Sequence, residues 1–170
     1  MNINDYVRDI PDFPKKGIVF KDITPALKSP EAFKYIIDKF ESTVKDIDFD
    51  VIIGPESRGF IFGAPLAYKM GKEFVPVRKP GKLPSEKVSI SYELEYGSAT
   101  LEMHKDAISK GQKVIIVDDI LATGGTTEAI IELVKRCGGE VVATLFFAEL
   151  AFLNPREKLQ NVLVESLIQF

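Results

Sequence analysis

Apolar positions along this chain follow two alternating rhythms. Runs at 51–53, 114–117 and 141–148 have no polar face, the mark of strands covered on both sides. Residues 73–77 read as another strand, and 162–170 as a terminal strand or edge segment. Between them the spacing lengthens. Phe33, Ile36, Ile37 and Phe40 follow the i, i+3, i+4, i+7 rule of an amphipathic helix, and so do Ile130, Leu133, Val134 and Cys137. The first of these helices opens with Ser29 as N-cap, Pro30 at the first helical position and Glu31 complementing the dipole. The second closes at Gly138, with Glu132 placed to pair with Arg136. Residues 60–70 read as a further helix that Pro65 should kink or weaken. Residues 105–109 read as a short helix. Strands alternating with helices predict an α/β fold, with a mostly parallel, twisted sheet and helices on both faces.

Two stretches interrupt this alternation. Residues 1–27 hold Pro14, Gly17 and a short extended segment at 18–20, too irregular for a core strand. Spacing alone favours an arm packed on the surface over a flap covering something else. Residues 79–98, rich in Lys, Ser, Gly and Glu, are the expected place for a mobile insert. Within them Val88, Ile90, Tyr92 and Leu94 alternate as in an exposed hairpin, and 100–103 is a further strand candidate.

At 170 residues the chain reads as a single domain, 1–170, with a real core. A net charge of −3 argues against non-specific nucleic-acid binding, though not against a local basic pocket. No apolar run approaches the ~20 residues of a membrane span, and the acidic N-terminus lacks an export signal core. The single Cys137 cannot form an internal disulfide, which fits a reducing, cytoplasmic setting. It sits on the apolar helix face, as a packing group rather than a nucleophile. His104, the one histidine, has no Cys or His neighbours and reads as structural or surface.

The stretch KVIIVDDILATGGTT, 113–127, carries the chemistry. Asp118 and Asp119 stand where its apolar run ends, a loop spans 120–123, and Gly124-Gly125 precede a helix starting near Thr126. Small hydroxyl residues over free N–H groups at a helix N-terminus make a phosphate site. Two carboxylates beside it suit the vicinal hydroxyls of a ribose phosphate. Neither the P-loop string nor the dinucleotide fingerprint occurs. A second strand–loop–helix junction, GPESRG at 54–59, presents Ser57 and Arg58. Arg58 reads alone as a surface ion pair or an anion contact; two such junctions in one sheet favour the anion. The basic run Arg78-Lys79-Pro80-Gly81-Lys82 follows a strand end and reads as a solvated loop or as cover for an anionic ligand.

The segment VIIVDDILATGGTT resembles the phosphoribosyl-diphosphate motif of the type I phosphoribosyltransferases. The likeness runs nearly end to end and is nearest to the adenine-using branch of that family. Its further blocks are DFPKKGIVFKDITPAL, GPESRGFIFGAPLA, VRKPGKLP, YELEYG, LEMHKDAI and REKL. The resemblance implies that adenine and 5-phosphoribosyl 1-diphosphate give AMP and diphosphate, with Mg²⁺ held mainly by substrate oxygens, in a homodimer. It implies that Asp118 and Asp119 hold the ribose hydroxyls. Ala122, Thr123, Gly124, Gly125, Thr126 and Thr127 would cradle the 5′-phosphate. Ser57 and Arg58 would meet the pyrophosphate, with Arg78, Lys79 and Lys82 adding positive charge. Val19 would read the adenine edge through its backbone and Phe20 would stack. Residues 1–27 become a base-binding hood and 79–98 a flexible catalytic loop carrying Glu95 and Tyr96, with Glu95 a candidate proton acceptor. Lys21 stands where many members carry Arg, which would weaken a fork-shaped contact. Glu128 should point away from a bound phosphate. Two alternatives remain: another purine base, hypoxanthine-guanine or xanthine, and a non-catalytic regulator that binds the sugar diphosphate.

Overall fold

The computed structural model describes residues 1–94 and 97–170. The chain opens with an antiparallel pair, β1 (Arg8–Pro11) and β2 (Val19–Asp22), separate from the main sheet. Helices α1 (Thr24–Lys28) and α2 (Pro30–Val44) follow. Next come β3 (Val51–Pro55), α3 (Arg58–Met70) and β4 (Glu73–Val77). A second antiparallel pair, β5 (Lys87–Glu93) and β6 (Ser98–His104), stands before β7 (Lys113–Leu121). The chain finishes with α4 (Gly125–Arg136), β8 (Glu140–Glu149) and β9 (Leu163–Gln169). Among the described residues the core sheet is five-stranded and parallel, in the order β4-β3-β7-β8-β9.

Strand periodicity divides the core into two layers. Ile52, Ile115 and Val117 turn to one face, where they pack against Ile36 and Phe40 of α2 and Phe62 and Leu66 of α3. Val51, Ile53, Val114 and Ile116 turn to the other face, against Ile130, Leu133 and Val134 of α4 and Leu101 and Met103 of β6. The caps that create these helices are local. Ser29 Oγ accepts the Ala32 N–H at 3.2 Å, with Pro30 behind it. At the end of α4, Gly138 takes φ +84°, and the Gly139 N–H reaches the Val134 carbonyl at 3.0 Å.

Four details differ from the sequence reading. β7 does not end at Val117; it continues through both aspartates, because Ile120 and Leu121 pair with Ala148 and Glu149 of β8. Residues 105–109 form turns rather than a helix, with the Ala107 N–H on the His104 carbonyl and Ile108 buried. The Ser109 N–H goes to the Gln112 side chain at 2.9 Å rather than to the carbonyl four residues back. Helix α3 begins earlier than expected, at Arg58, and includes Pro65. The hairpin is covered on one side, where Val88, Ile90 and Tyr92 pack on the α4 layer, while Leu94 stays exposed. Among the described residues no helix is long and apolar enough to cross a membrane.

Candidate active site

The carboxyl ends of β3 and β7 adjoin, which is where open parallel sheets bind ligands. A cavity of about 440 Å³ opens there. The β3–α3 junction supplies Pro55, Glu56, Ser57 and Arg58, and β7 supplies Asp118, Asp119 and Ile120. Lys79, Tyr92, Leu101 and Thr126 complete the wall. A smaller recess of about 80 Å³ shares Asp118, Ile120 and Thr126 and adds Leu121, Ala122, Thr123, Gly124 and Thr127.

The smaller recess is built from the start of α4. Gly124, at φ +87°, is its N-cap residue and makes no side-chain capping bond. The first N–H groups of the helix therefore lack an intrahelical partner, the arrangement that suits an anion. Thr127 is buried and Thr126 is half-buried. The Thr126 hydroxyl lies 2.9 Å from the Tyr92 hydroxyl, and the Tyr92 ring stands beside Gly125. Glu128 is exposed and lines a separate recess with Ile131 and Lys135, so its charge is turned away.

The acid pair is electrostatically uneven. Asp119 is 4% exposed, and its Oδ2 forms an ion pair with Arg58 Nε. That contact lacks hydrogen-bond alignment: among the described residues, Asp119 Oδ2 and Arg78 Nε are the buried side-chain atoms with no hydrogen-bond partner. Asp118 Oδ1 accepts the Asp119 N–H at 2.8 Å. Burial first, and the neighbouring Asp119 charge second, push the Asp118 carboxyl well above the usual aspartate range. Gly59 permits this crowding. A Cβ there would lie 2.6 Å from Pro55 Cδ and 3.1 Å from Asp118 Oδ1.

Glu56 organises the basic run. Its Oε1 accepts the Lys79 N–H at 2.6 Å, and Arg78 Nη2 lies 3.5 Å from Oε2. The Lys79 N–H first, and then the Arg78 charge, hold this carboxyl below its ordinary range. Arg78 also bridges to Glu102 of β6 through its backbone, at 2.9 and 2.8 Å. The hood reaches the site through Phe20, whose ring lies 5.8 Å from the Arg58 guanidinium carbon and packs edge-on against Phe13. Val19 is half exposed beside it.

The fold therefore brings together Ser57, Arg58, Lys79, Asp118, Asp119, Ala122, Thr123, Gly124, Thr126 and Thr127, with Gly125 opening the helix behind them. Lys21, Arg78 and Lys82 do not line either recess. Lys21 Nζ is 2.7 Å from Asp9 and 4.0 Å from the Phe170 ring centre. Arg78 is taken up by Glu56, and Lys82 is exposed. Glu95 and Tyr96 lie outside the described residues.

The profile of the phosphoribosyl transferase domain matches residues 26–160. An adenine phosphoribosyltransferase of Petrotoga mobilis is 61% identical over 170 residues, covering 100% of this chain and 98% of that protein. The chain belongs to the adenine phosphoribosyltransferase family. Among solved members of the family, the enzyme of Thermoanaerobacter pseudethanolicus superposes with a TM-score of 0.96 at 56% identity, covering 99% of this chain and 98% of that one. The adenine phosphoribosyltransferase of Saccharomyces cerevisiae, complexed with an imino-altritol bisphosphate and adenine, gives 0.91 at 44% identity, covering 96% and 95%.

Five wall residues of this cavity were not assigned to it from the sequence: Pro55, Glu56, Tyr92, Leu101 and Ile120. Glu56 stood inside a motif singled out for its neighbours. The alternation marked the Tyr92 face of β5 but not the target of its hydroxyl, which lies 34 residues onward.

Proposed function

We propose that this chain transfers the 5-phosphoribosyl group of 5-phosphoribosyl 1-diphosphate to adenine, giving AMP and diphosphate, and so serves purine salvage. One observation carries the reading: a paired-aspartate wall opens directly into an uncapped helix N-terminus, with Lys79 and Arg58, which is ion-paired to Asp119, in the same cavity wall. That order of groups suits the hydroxyls, 5′-phosphate and diphosphate of one ligand.

In the reaction the C1–oxygen bond breaks, its electron pair leaves with diphosphate, and adenine N9 bonds to C1 as it loses its proton. Positive charge grows on the ribose ring and negative charge on the leaving group. Asp118 and Asp119 face the former, and Arg58 and Lys79 the latter. The raised proton affinity of Asp118 reflects burial first and the Asp119 charge second; ribose hydroxyl donors and a developing cation would favour its ionised form. Phe20 would stack on the base beside Arg58, with Val19 offering backbone hydrogen-bond groups. Of the segment 79–98, expected as a flexible loop, residues 87–93 form β5; Glu95, which follows that strand, is our candidate proton acceptor.

Mg²⁺ enters this reading as an ion carried by the diphosphate substrate, where it stabilises the leaving oxygens. Asp119 Oδ2, ion-paired with Arg58 but without an aligned hydrogen bond, could accept one from a ribose hydroxyl or from a water of such a hydrated complex. A homodimer in the cytoplasm completes the proposal. The outward ring of Tyr68, 92% exposed on α3, is a surface that a second copy can cover.

The test is a product assay with 5-phosphoribosyl 1-diphosphate, Mg²⁺ and adenine, hypoxanthine, guanine or xanthine in separate reactions. AMP alone is the expected result. Nucleotide from a 6-oxopurine only would overturn the base assignment. Tight binding of the sugar diphosphate with no turnover would replace the enzyme with a regulator.

A further inference from the structure

The REKL block at 156–159 lines neither recess of the site. It nevertheless touches the phosphate loop from behind. A Cβ on Gly124 would lie 2.8 Å from the Pro155 carbonyl oxygen and 3.6 Å from Lys158 Cβ. Gly124 is buried, so the loop has no room to retreat there. Whatever fixes the turn Pro155–Lys158 also fixes the path of the chain into α4.

Two anchors hold that turn. Leu159 is buried with Leu121, Phe146 and Val164. Arg156 reaches the other way, into the end of the sheet. Its Nε and Nη2 each donate to one carboxylate oxygen of Glu149 at 2.8 Å, and its Nη1 donates to the Val164 carbonyl at 3.1 Å. Glu149 is 2% exposed and also accepts from the Ser166 hydroxyl at 2.7 Å and Gln169 Nε2 at 3.2 Å. This carboxylate is fully engaged by protein donors and has nothing left for a ligand. Its contribution is geometric: a two-pronged contact sets the distance and the orientation of the turn.

We propose that Arg156 and Glu149 are positioning residues for the phosphate loop. Their fork holds the Pro155 carbonyl against Gly124, and so holds 122–127 in the shape that receives the 5′-phosphate. This inference rests on the reading of that loop as the 5′-phosphate site. A lysine at 156 keeps the charge but cannot span both oxygens, so the turn shifts and the loop follows.

The experiment compares the full-length parent with Arg156→Lys, Glu149→Gln and Gly124→Ala. It records KM for each substrate, kcat, and calorimetric binding of ribose 5-phosphate and of pyrophosphate. Arg156→Lys is expected to raise KM for the sugar diphosphate and Kd for ribose 5-phosphate about tenfold, because small misplacements of binding groups are costly. KM for adenine and Kd for pyrophosphate stay within about twofold, since their groups lie elsewhere. Glu149→Gln shows the same split more weakly, and Gly124→Ala reproduces it from the opposite side of the contact. Equal losses for both substrates, or none, would overturn the proposal and leave the pair as a purely structural bridge. A parent that makes no AMP but binds ribose 5-phosphate leaves the variant comparison intact, so failure of the catalytic reading is separable. A parent that does not bind ribose 5-phosphate ends both.

Discussion

Asp118 and Glu149 stand near the carboxyl ends of neighbouring strands, β7 and β8, and each is a carboxylate removed from bulk water. Their surroundings are opposite. Glu149 receives four hydrogen bonds from Arg156, Ser166 and Gln169, and the Arg156 contact, first among them, draws its proton affinity below the ordinary glutamate range. Asp118 has one backbone donor; burial first, and the aspartate beside it second, raise its proton affinity. Asp119 next to it keeps a buried oxygen without a hydrogen-bond partner. A satisfied buried charge holds the fold together, whereas an unsatisfied one waits for a ligand. The arginines differ in the same way. Arg156 is spent on a fork to Glu149, while Arg58 meets Asp119 in an unaligned ion pair and keeps half its surface in the cavity.

The largest effect expected from this contrast is on the acid pair. The double variant Asp118→Asn, Asp119→Asn should lose at least about 10² in kcat/KM, as groups aimed at transition-state charge do. Its circular dichroism should stay native-like and its melting should not fall below the parent's, because neither carboxylate carries core packing. Unchanged kcat/KM would remove ribose from this wall. Next comes Arg58→Ala. One charge-assisted contact to the diphosphate is worth about 1.5–3 kcal/mol, roughly ten- to a hundredfold in KM for the sugar diphosphate. KM for adenine should move much less, and equal shifts in the two would count against the role.

The two carboxylates should also respond to pH with opposite signs. Asp118 binds its proton more tightly folded than unfolded. As pH rises above the ordinary aspartate range near 4, the unfolded chain ionises first and the native state loses ground. Asp118→Asn should therefore melt higher than the parent at pH 7, and the gap should close toward pH 4. Glu149 binds its proton less tightly folded, so its contribution is present above the ordinary glutamate range and vanishes as pH falls through its lowered value. Glu149→Gln should melt lower than the parent at pH 7, and that gap should close in acid. Melting curves across pH would show both, and parallel curves for either pair would contradict the assignment. The smallest effect belongs to Tyr92→Phe. Losing the hydroxyl beside Thr126 removes one hydrogen bond, about 0.5–1.5 kcal/mol, so KM for the sugar diphosphate should rise a few-fold.

Features with a local physical cause were legible in the sequence. The Ser29-Pro30-Glu31 start of α2 follows from side-chain capping, the end of α4 from the left-handed Gly138, and the buried strands from uninterrupted apolar runs. The adjacency of Asp118 and Asp119 to the start of α4 was legible for the same reason, since these residues lie within one short stretch. Asp118 and Asp119 nevertheless lie inside β7, not after it, because pairing with β8 carries the strand onward. The fate of the basic run was equally hidden. Glu56 claims Arg78 across 22 residues of chain, and the hairpin shares the backbone of Arg78 through Glu102.

By itself, then, the sequence determined an α/β chain and its family, because strand and helix periods, caps and short motifs are written in neighbouring residues. Only the tertiary structure decided which charges are spent and which are free. Arg58 against Asp119 and Phe20, Arg156 against Glu149, and the Pro155 carbonyl against Gly124 are all contacts between distant segments. Burial and hydrogen-bond satisfaction depend on what the whole fold brings near a group, and no local pattern encodes them.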